Sequence, residues 1–256
     1  MFRRAIVRIP GGNFADGLTT VDLGVPDLDQ VVKQHAAYCE ALRACGLELT
    51  VLEPDLRYPD STFVEDAAIL TPEAAIFCRP GAVSRQGEVA AIRPAVERFY
   101  FSTFAIESPG TVDGGDICEA GSHFFIGMSH RTNAEGARQL TVCLNAFGYT
   151  ASTIDVRKMT SILHLKSGIS YIGENTLVVM EEMAENPQFS RFERVRVSPS
   201  ESYGANCVRV NERVLVAEGF PELTGNLAAL GFKPLLLNMS EFQKMDGGLS
   251  CLSLRF

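Results

Sequence analysis

Five stretches of this chain share one plan, and that repetition limits the folds open to it more than any other feature. Each begins with a polar or ionisable residue, enters a short apolar strand and turns tightly; four continue into a second strand. The pairs are 66–70 with 74–78, 116–118 with 124–127, 164–172 with 176–180 and 206–210 with 214–217, and 251–254 stands alone. Taking Asp66, Asp116, His164, Cys207 and Cys251 as markers, the repeat recurs at intervals of 50, 48, 43 and 44 residues. The connections have turn chemistry, as in Thr71-Pro72-Glu73, Ala120-Gly121-Ser122, Gly173-Glu174-Asn175 and Asn211-Glu212-Arg213. Helical patterns follow several pairs: 132–144 closing on Phe147-Gly148, a second ending at Leu227 to Gly231, and a third over 31–45 before Gly46. Each leads into another extended run, such as 47–52 or 234–237.

The last stretch lacks a partner strand, while residues 4–8 form a strand with nothing before it to pair with. Pairing these two closes a ring. The expectation is one α/β domain over 1–256, made of five ββαβ-type modules with approximate five-fold symmetry and joined through the N- and C-terminal strands. Strand–helix alternation also suits a doubly wound sheet. That alternative has no positive support, because no Gly-x-Gly-x-x-Gly follows a strand and no Walker loop is present.

Composition narrows the function classes. Hydrophobic residues make up 46% of the chain, enough for a sizeable core, yet no apolar run approaches the roughly 20 residues that span a bilayer. The first residues carry arginines without the long apolar block of a signal peptide. Seven cysteines, odd in number and without Cys-x-x-Cys spacing, argue against a disulfide framework or tetrahedral zinc site and suit a reducing cytoplasm. A formal net charge of −8 without a basic tract disfavours nucleic-acid binding. Acidity can instead favour a small cation through focused fields.

In a ring, equivalent positions converge on one axis. The markers would then bring carboxylates, an imidazole and a thiol together where apolar residues are expected. Burying such charges unpaired costs several kcal/mol each, a cost that a cationic ligand offsets. Cys251 follows Asp246-Gly247-Gly248-Leu249-Ser250, whose paired glycines suggest a tight turn or a close backbone approach delivering the thiol onto an apolar strand. Alone, such a cysteine reads as a core hydrophobe; the company of His164 and the carboxylates makes it a nucleophile. Of four histidines, only His164 precedes a strand at a marker position. Asp116 also suits a structural turn, and Cys39, Cys45, Cys78, Cys118, Cys143 and Cys207 read as packing.

The segments Phe63-Val64-Glu65-Asp66, Thr111-Val112-Asp113-Gly114-Gly115-Asp116, His164-Leu165-Lys166-Ser167-Gly168 and Asp246 to Cys251 resemble those of the guanidino-group-modifying enzymes, the pentein superfamily. Within it the chain is most similar to the dimethylarginine dimethylaminohydrolase family, essentially end to end. The resemblance implies a five-bladed α/β-propeller that hydrolyses N-ω-methylated arginine to citrulline and an amine, without metal or cofactor. It implies Cys251 as nucleophile, His164 as general acid/base and Asp113 as the third catalytic carboxylate. Glu65 and Asp66 would hold the guanidinium. Asp60 and the Leu18 carbonyl would meet the α-amino group, Arg85 and Arg131 the α-carboxylate, and the Met245 carbonyl the substrate end of the channel. A homodimer is left open.

Two other chemistries and one non-enzymatic role compete. Deiminases resembling this group usually have His-x-Asp where this chain has His164-Leu165-Lys166, and loss of that acceptor favours methylated nitrogen. An amidinotransferase generally carries extra segments. A non-catalytic pentein scaffold has no need of Cys251, His164 and the acidic set in one chain.

Overall fold

A computed structural model describes residues Met1–Phe256. Fifteen strands form five separate three-stranded sheets. The strands are β1 (Arg4–Arg8), β2 (Glu48–Leu52), β3 (Ala68–Leu70), β4 (Ala75–Phe77), β5 (Thr103–Ala105), β6 (Ile117–Ala120), β7 (His123–Met128) and β8 (Thr150–Asp155). They continue with β9 (Ile169–Tyr171), β10 (Thr176–Met180), β11 (Glu193–Val197), β12 (Val208–Val210), β13 (Arg213–Ala217), β14 (Pro234–Leu237) and β15 (Leu254–Arg255). The sheets run β3-β4-β5, β6-β7-β8, β9-β10-β11, β12-β13-β14 and β15-β1-β2. In every sheet the first strand pairs antiparallel with the middle one, which pairs parallel with the third. The expected closure is present: Ala5 pairs with Arg255 and Ile6 with Leu254. No sheet exceeds three strands, which removes the doubly wound alternative.

Alternation along the middle strands shows how the sheets are joined. A strand presents successive side chains to opposite faces, and here both faces are buried. On β4, Ala75 and Phe77 enter a core with Ile6 and Leu254, while Ile76 enters another with Ile117 and Ile126. Phe125 on β7 packs with Leu177 and Val179 of β10, and Val178 of β10 packs with Val214 and Val216 of β13. Leu215 and Ala217 then join Ala5 and Val7 of β1, whose Ile6 returns to the first core. Five cores thus link five sheets in a closed cycle.

The parallel crossovers need covering elements, and most are helices. Leu28–Ala44 begins at Asp27, whose side chain accepts the Gln30 N–H, and buries Val31, His35, Tyr38 and Leu42 at helical spacing. Ala134–Ala146 begins likewise at Asn133. Pro221–Ala229 carries its proline at the first turn, where the missing N–H costs nothing. Glu88–Glu97 was not read from the sequence, because Gly87 supplies no side-chain cap and Pro94 interrupts the pattern. Between β10 and β11 the crossover uses two short 3₁₀ turns, Glu181–Met183 and Pro187–Phe189. One local expectation is corrected: Cys251 lies not on a strand but in the 3₁₀ turn Ser250–Leu252 ahead of β15.

Candidate active site

A short turn precedes the first strand of each sheet, and Glu65, Asp66, Asp113, His164 and Cys251 sit on or directly beside these entry turns. The turns are Val64–Ala67, Gly114–Asp116, Leu165–Gly168, Pro199–Ala205 and Ser250–Leu252. Four of the five adjacent pairs of turns pack closely on one another, the exception being Pro199–Ala205 against Ser250–Leu252. That closeness explains the glycines of the Asp113 motif. A Cβ on Gly115 would meet the His164 ring at 2.9 Å, and one on Gly114 would collide with the Glu65 carbonyl. In the loop that leads to Cys251 the left-handed residue is Asp246, with φ 55°, rather than either following glycine.

Eight of the residues expected to be functional line one crevice of about 20 Å³: Leu18, Asp60, Asp66, Arg85, Arg131, His164, Met245 and Cys251. Asp60 accepts the Leu18 N–H at 3.1 Å, so the pair assigned to an α-amino group is assembled. Asp113 is fully buried behind His164, its Oδ2 3.0 Å from His164 Nε2 and its Oδ1 accepting the Gly81 N–H. Asp66 Oδ1 accepts the Gly115 N–H at 2.8 Å and Oδ2 meets Arg85 Nη1 at 2.6 Å. Arg85, 5% exposed, is no surface charge: Glu88 holds its Nε and Nη2, and the carbonyls of Asp60 and Phe63 accept from Nη2. Arg131 is half-buried with no side-chain partner in the protein, which leaves its guanidinium available to a ligand.

Glu65 stands apart from its neighbour. It lines a second, wider cavity of about 560 Å³ on the other side of the entry turns. There its Oε1 meets Lys166 Nζ at 2.5 Å and Arg255 Nη2 at 3.5 Å, and its Oε2 accepts from Ser250 Oγ. The lysine at the position where deiminases have a carboxylate is therefore an ammonium paired with Glu65. Asp116 is structural: it accepts from the Ser129 and Thr132 hydroxyls and the Leu165 N–H. Asn206, which the sequence offered only as the start of a strand, joins three of these segments.

The electrostatics assign protons. Burial alone would lower the pKa of His164, but Asp66, Asp116 and the hydrogen-bonded Asp113 outweigh it and raise the imidazole to about 9. Burial, then the nearby charges of Glu65 and Asp66, push the Cys251 thiol up to about 12 against the opposing Gly248 N–H and Lys166. For Asp66, burial is overcome by Arg85 and His164, which hold it at about 2. The crevice therefore pairs a neutral thiol with an imidazolium beside an ionised carboxylate. A planar cation seated on Asp66 would lower the thiol's pKa, a proton donor already stands beside it, and the set suits covalent attack on an amidinium carbon.

Comparison with known proteins places the chain in a family. A family model described as arginine deiminase matches residues 92–216. The chain is 45% identical, over the full length of both, to the N(G),N(G)-dimethylarginine dimethylaminohydrolase of Pseudomonas aeruginosa. It is 37% identical to the protein of the same name from Streptomyces coelicolor, covering 99% of this chain and 96% of the relative. A solved structure of the Pseudomonas aeruginosa enzyme, a cysteine-to-serine variant complexed with citrulline, superposes over all of both chains with a TM-score of 0.97. The N-terminal domain of a cyanobacterial arginine dihydrolase, 18% identical, shares the fold over 98% of this chain and 97% of that one, with a TM-score of 0.85.

Proposed function

The chain belongs to the dimethylarginine dimethylaminohydrolase family, and on that premise we propose that it hydrolyses asymmetric dimethylarginine and monomethylarginine to citrulline plus dimethylamine or methylamine. The observation that carries this reading is the crevice in which Cys251 and protonated His164 face Asp66, a carboxylate held ionised. Asp60 and the Leu18 carbonyl take the substrate's α-amino group. Arg131, with the remaining Nη1 hydrogen of Arg85, takes its carboxylate. Met245 borders the other end of the bound amino acid. The five sheets and their cycle of cores are read as blades of a five-bladed α/β-propeller with approximate five-fold symmetry, the crevice lying at its axis. Seven free thiols suit a reducing cytoplasm as the place of action. No helix is long and apolar enough to cross a membrane.

The chemistry follows from the proton inventory. A guanidinium on Asp66 brings positive charge to the thiol, whose pKa falls; the thiol proton passes to solvent, and the thiolate attacks the guanidinium carbon. Negative charge from sulfur cancels the cation, giving a neutral tetrahedral adduct. His164 donates its proton to the substituted nitrogen, which departs as the amine and leaves a thiouronium on Cys251. The imidazole, now neutral, takes a proton from water as the oxygen adds to the same carbon. Collapse breaks the C–S bond, the leaving sulfur takes up the hydroxyl proton to restore the Cys251 thiol, and the urea group of citrulline remains. Asp113 holds the imidazole ring throughout through Nε2.

A deiminase would release ammonia from unmethylated arginine by the same steps. Lys166 favours the methylated substrate, because it leaves no carboxylate at that position to accept hydrogen bonds from unsubstituted guanidinium nitrogens, its own ammonium being turned to Glu65 in the wider cavity. The decisive experiment follows citrulline formation and identifies the amine with arginine, monomethylarginine and asymmetric dimethylarginine. Dimethylamine from dimethylarginine should appear much faster than ammonia from arginine. The reverse order replaces this reading with the deiminase, and no citrulline from any of the three leaves a scaffold.

A further inference from the structure

Four entry turns contribute an acidic, basic or nucleophilic group to the crevice or its back wall; the turn Pro199–Ala205 contributes none. Its following residue, Asn206, is 7% exposed, and three of the four hydrogen-bonding positions of its amide are used on neighbouring turns. Oδ1 accepts the Ser250 N–H at 3.0 Å. Nδ2 donates to the Lys166 carbonyl at 2.9 Å and to Ser250 Oγ at 3.1 Å. Ser250 Oγ in turn donates to Glu65 Oε2 at 2.7 Å, and Glu65 Oε1 returns to Lys166 Nζ. The bonds form a closed circuit through Lys166, Asn206, Ser250 and Glu65, directly behind Cys251 and His164.

The amide also lies against the loop that carries the thiol. A Cβ on Gly248 would stand 2.5 Å from Asn206 Oδ1 and 2.6 Å from its Cγ. Gly248 donates its N–H to Cys251 Sγ at 3.4 Å, and its carbonyl accepts the Cys251 N–H. Asn206 thus grips the nucleophile loop at Gly248 and Ser250 and the histidine segment at Lys166. We propose that Asn206 is a positioning residue that fixes the Cys251 thiol relative to the His164 imidazole. The inference rests on the reaction proposed above. Its function is specific to the relation between two segments: substrate recognition by Asp60, Arg85 and Arg131 does not pass through it.

A shift of about 1 Å between reacting groups can cost about 10²-fold in rate. Asn206→Asp keeps the size of the side chain and the acceptor for the Ser250 N–H, but removes both donors. It should lower kcat for dimethylarginine by about 10²-fold while KM stays within about threefold, with thermal unfolding near that of the parent. Asn206→Ala should lower kcat similarly. Added to it, Ser250→Ala should cost far less than in the parent, since both act in one circuit. Alkylation of Cys251 by iodoacetamide, followed by mass spectrometry across pH, reads the thiol without any substrate. Its rate and pH profile should change in both Asn206 variants. Failure of the parent enzyme on methylated arginines would overturn the reaction but leave this alkylation test standing. Unchanged kcat and an unchanged alkylation profile in Asn206→Asp would overturn the positioning role, as would a rise in KM with kcat preserved.

Discussion

The helix Leu28–Ala44 carries a thiol and an imidazole one turn apart, and the centre of the ring carries another such pair from distant parts of the chain. In the helix, Cys39 Sγ lies 3.7 Å from His35 Nδ1, and both residues are buried. Burial lowers the pKa of His35 to about 4, and its Nε2 has no partner. Burial also raises Cys39, to about 11. At the centre, Cys251 is raised in the same sense, but His164 moves the opposite way, to about 9. The difference is the carboxylates: Asp66, Asp113 and Asp116 act on His164, whereas at His35 burial dominates and no carboxylate opposes it. A close thiol–imidazole pair is thus compatible with inert core packing. What makes a proton donor is the charge placed around the imidazole, and what makes a nucleophile is a ligand cation that can reach the thiol.

The widest expected gap between the two pairs lies in their sulfurs. Cys251→Ser should abolish turnover while preserving the fold, because serine is similar in shape but far less readily ionised. Cys39→Ser should leave turnover near that of the parent. Activity surviving in the first, or a covalent substrate adduct trapped on any other cysteine, would remove Cys251 from the mechanism.

The imidazoles should separate next. His164→Ala should reduce turnover by about 10²–10⁴-fold, the range for a positioned acid/base, whereas His35→Leu should leave kcat within a small factor. An unchanged pH–rate profile in the His164 variant would end that assignment.

The smallest effect is on stability, and the two histidines should act with opposite sign. The unfolded chain protonates His35 below its usual 6.5, while the folded protein resists until about 4. Stability from this site is complete above pH 6.5 and drains as pH falls towards 4, by at most about 3 kcal/mol. His164, raised to about 9, contributes fully below pH 6.5 and loses that contribution as pH climbs through 9. Urea midpoints measured from pH 7 to 4 should therefore fall less in His35→Leu than in the parent. Parallel curves would show that His35 does not titrate with this shift.

The sequence reading reached the ring because its evidence was periodic: paired strands with turn residues between them, and one odd strand near each end of the chain. It reached Cys251 and His164 because their types are rare at strand entries. Other features carried no such signal. Glu65 and Asp66 are adjacent in a one-turn helix, and only the fold decides that one faces the crevice and the other the opposite cavity. Arginine is read by default as a solvated charge, yet Arg85 is buried between Asp66 and Glu88. Asn206 read only as the polar start of a strand, and its bonds reach segments 40 and 44 residues away. Its place beside a marker of the repeat was the one available clue.

The pairing of β15 with β1 has a kinetic consequence. It joins residues separated by 250 positions, Ala5 and Arg255, whereas the other sheets form within single modules. In chain entropy, closing a loop about five times longer than a module costs only about 1.4 kcal/mol more. In folding rate, contacts so distant in sequence are slow to form. Cys251 stands three residues before this seam, so the placement of its thiol depends on a contact between the two ends of the chain. The thiol's position is thereby tied to the most non-local pairing in the molecule, whereas the contacts that join the Asp66, Asp113 and His164 segments span only 49 and 51 residues.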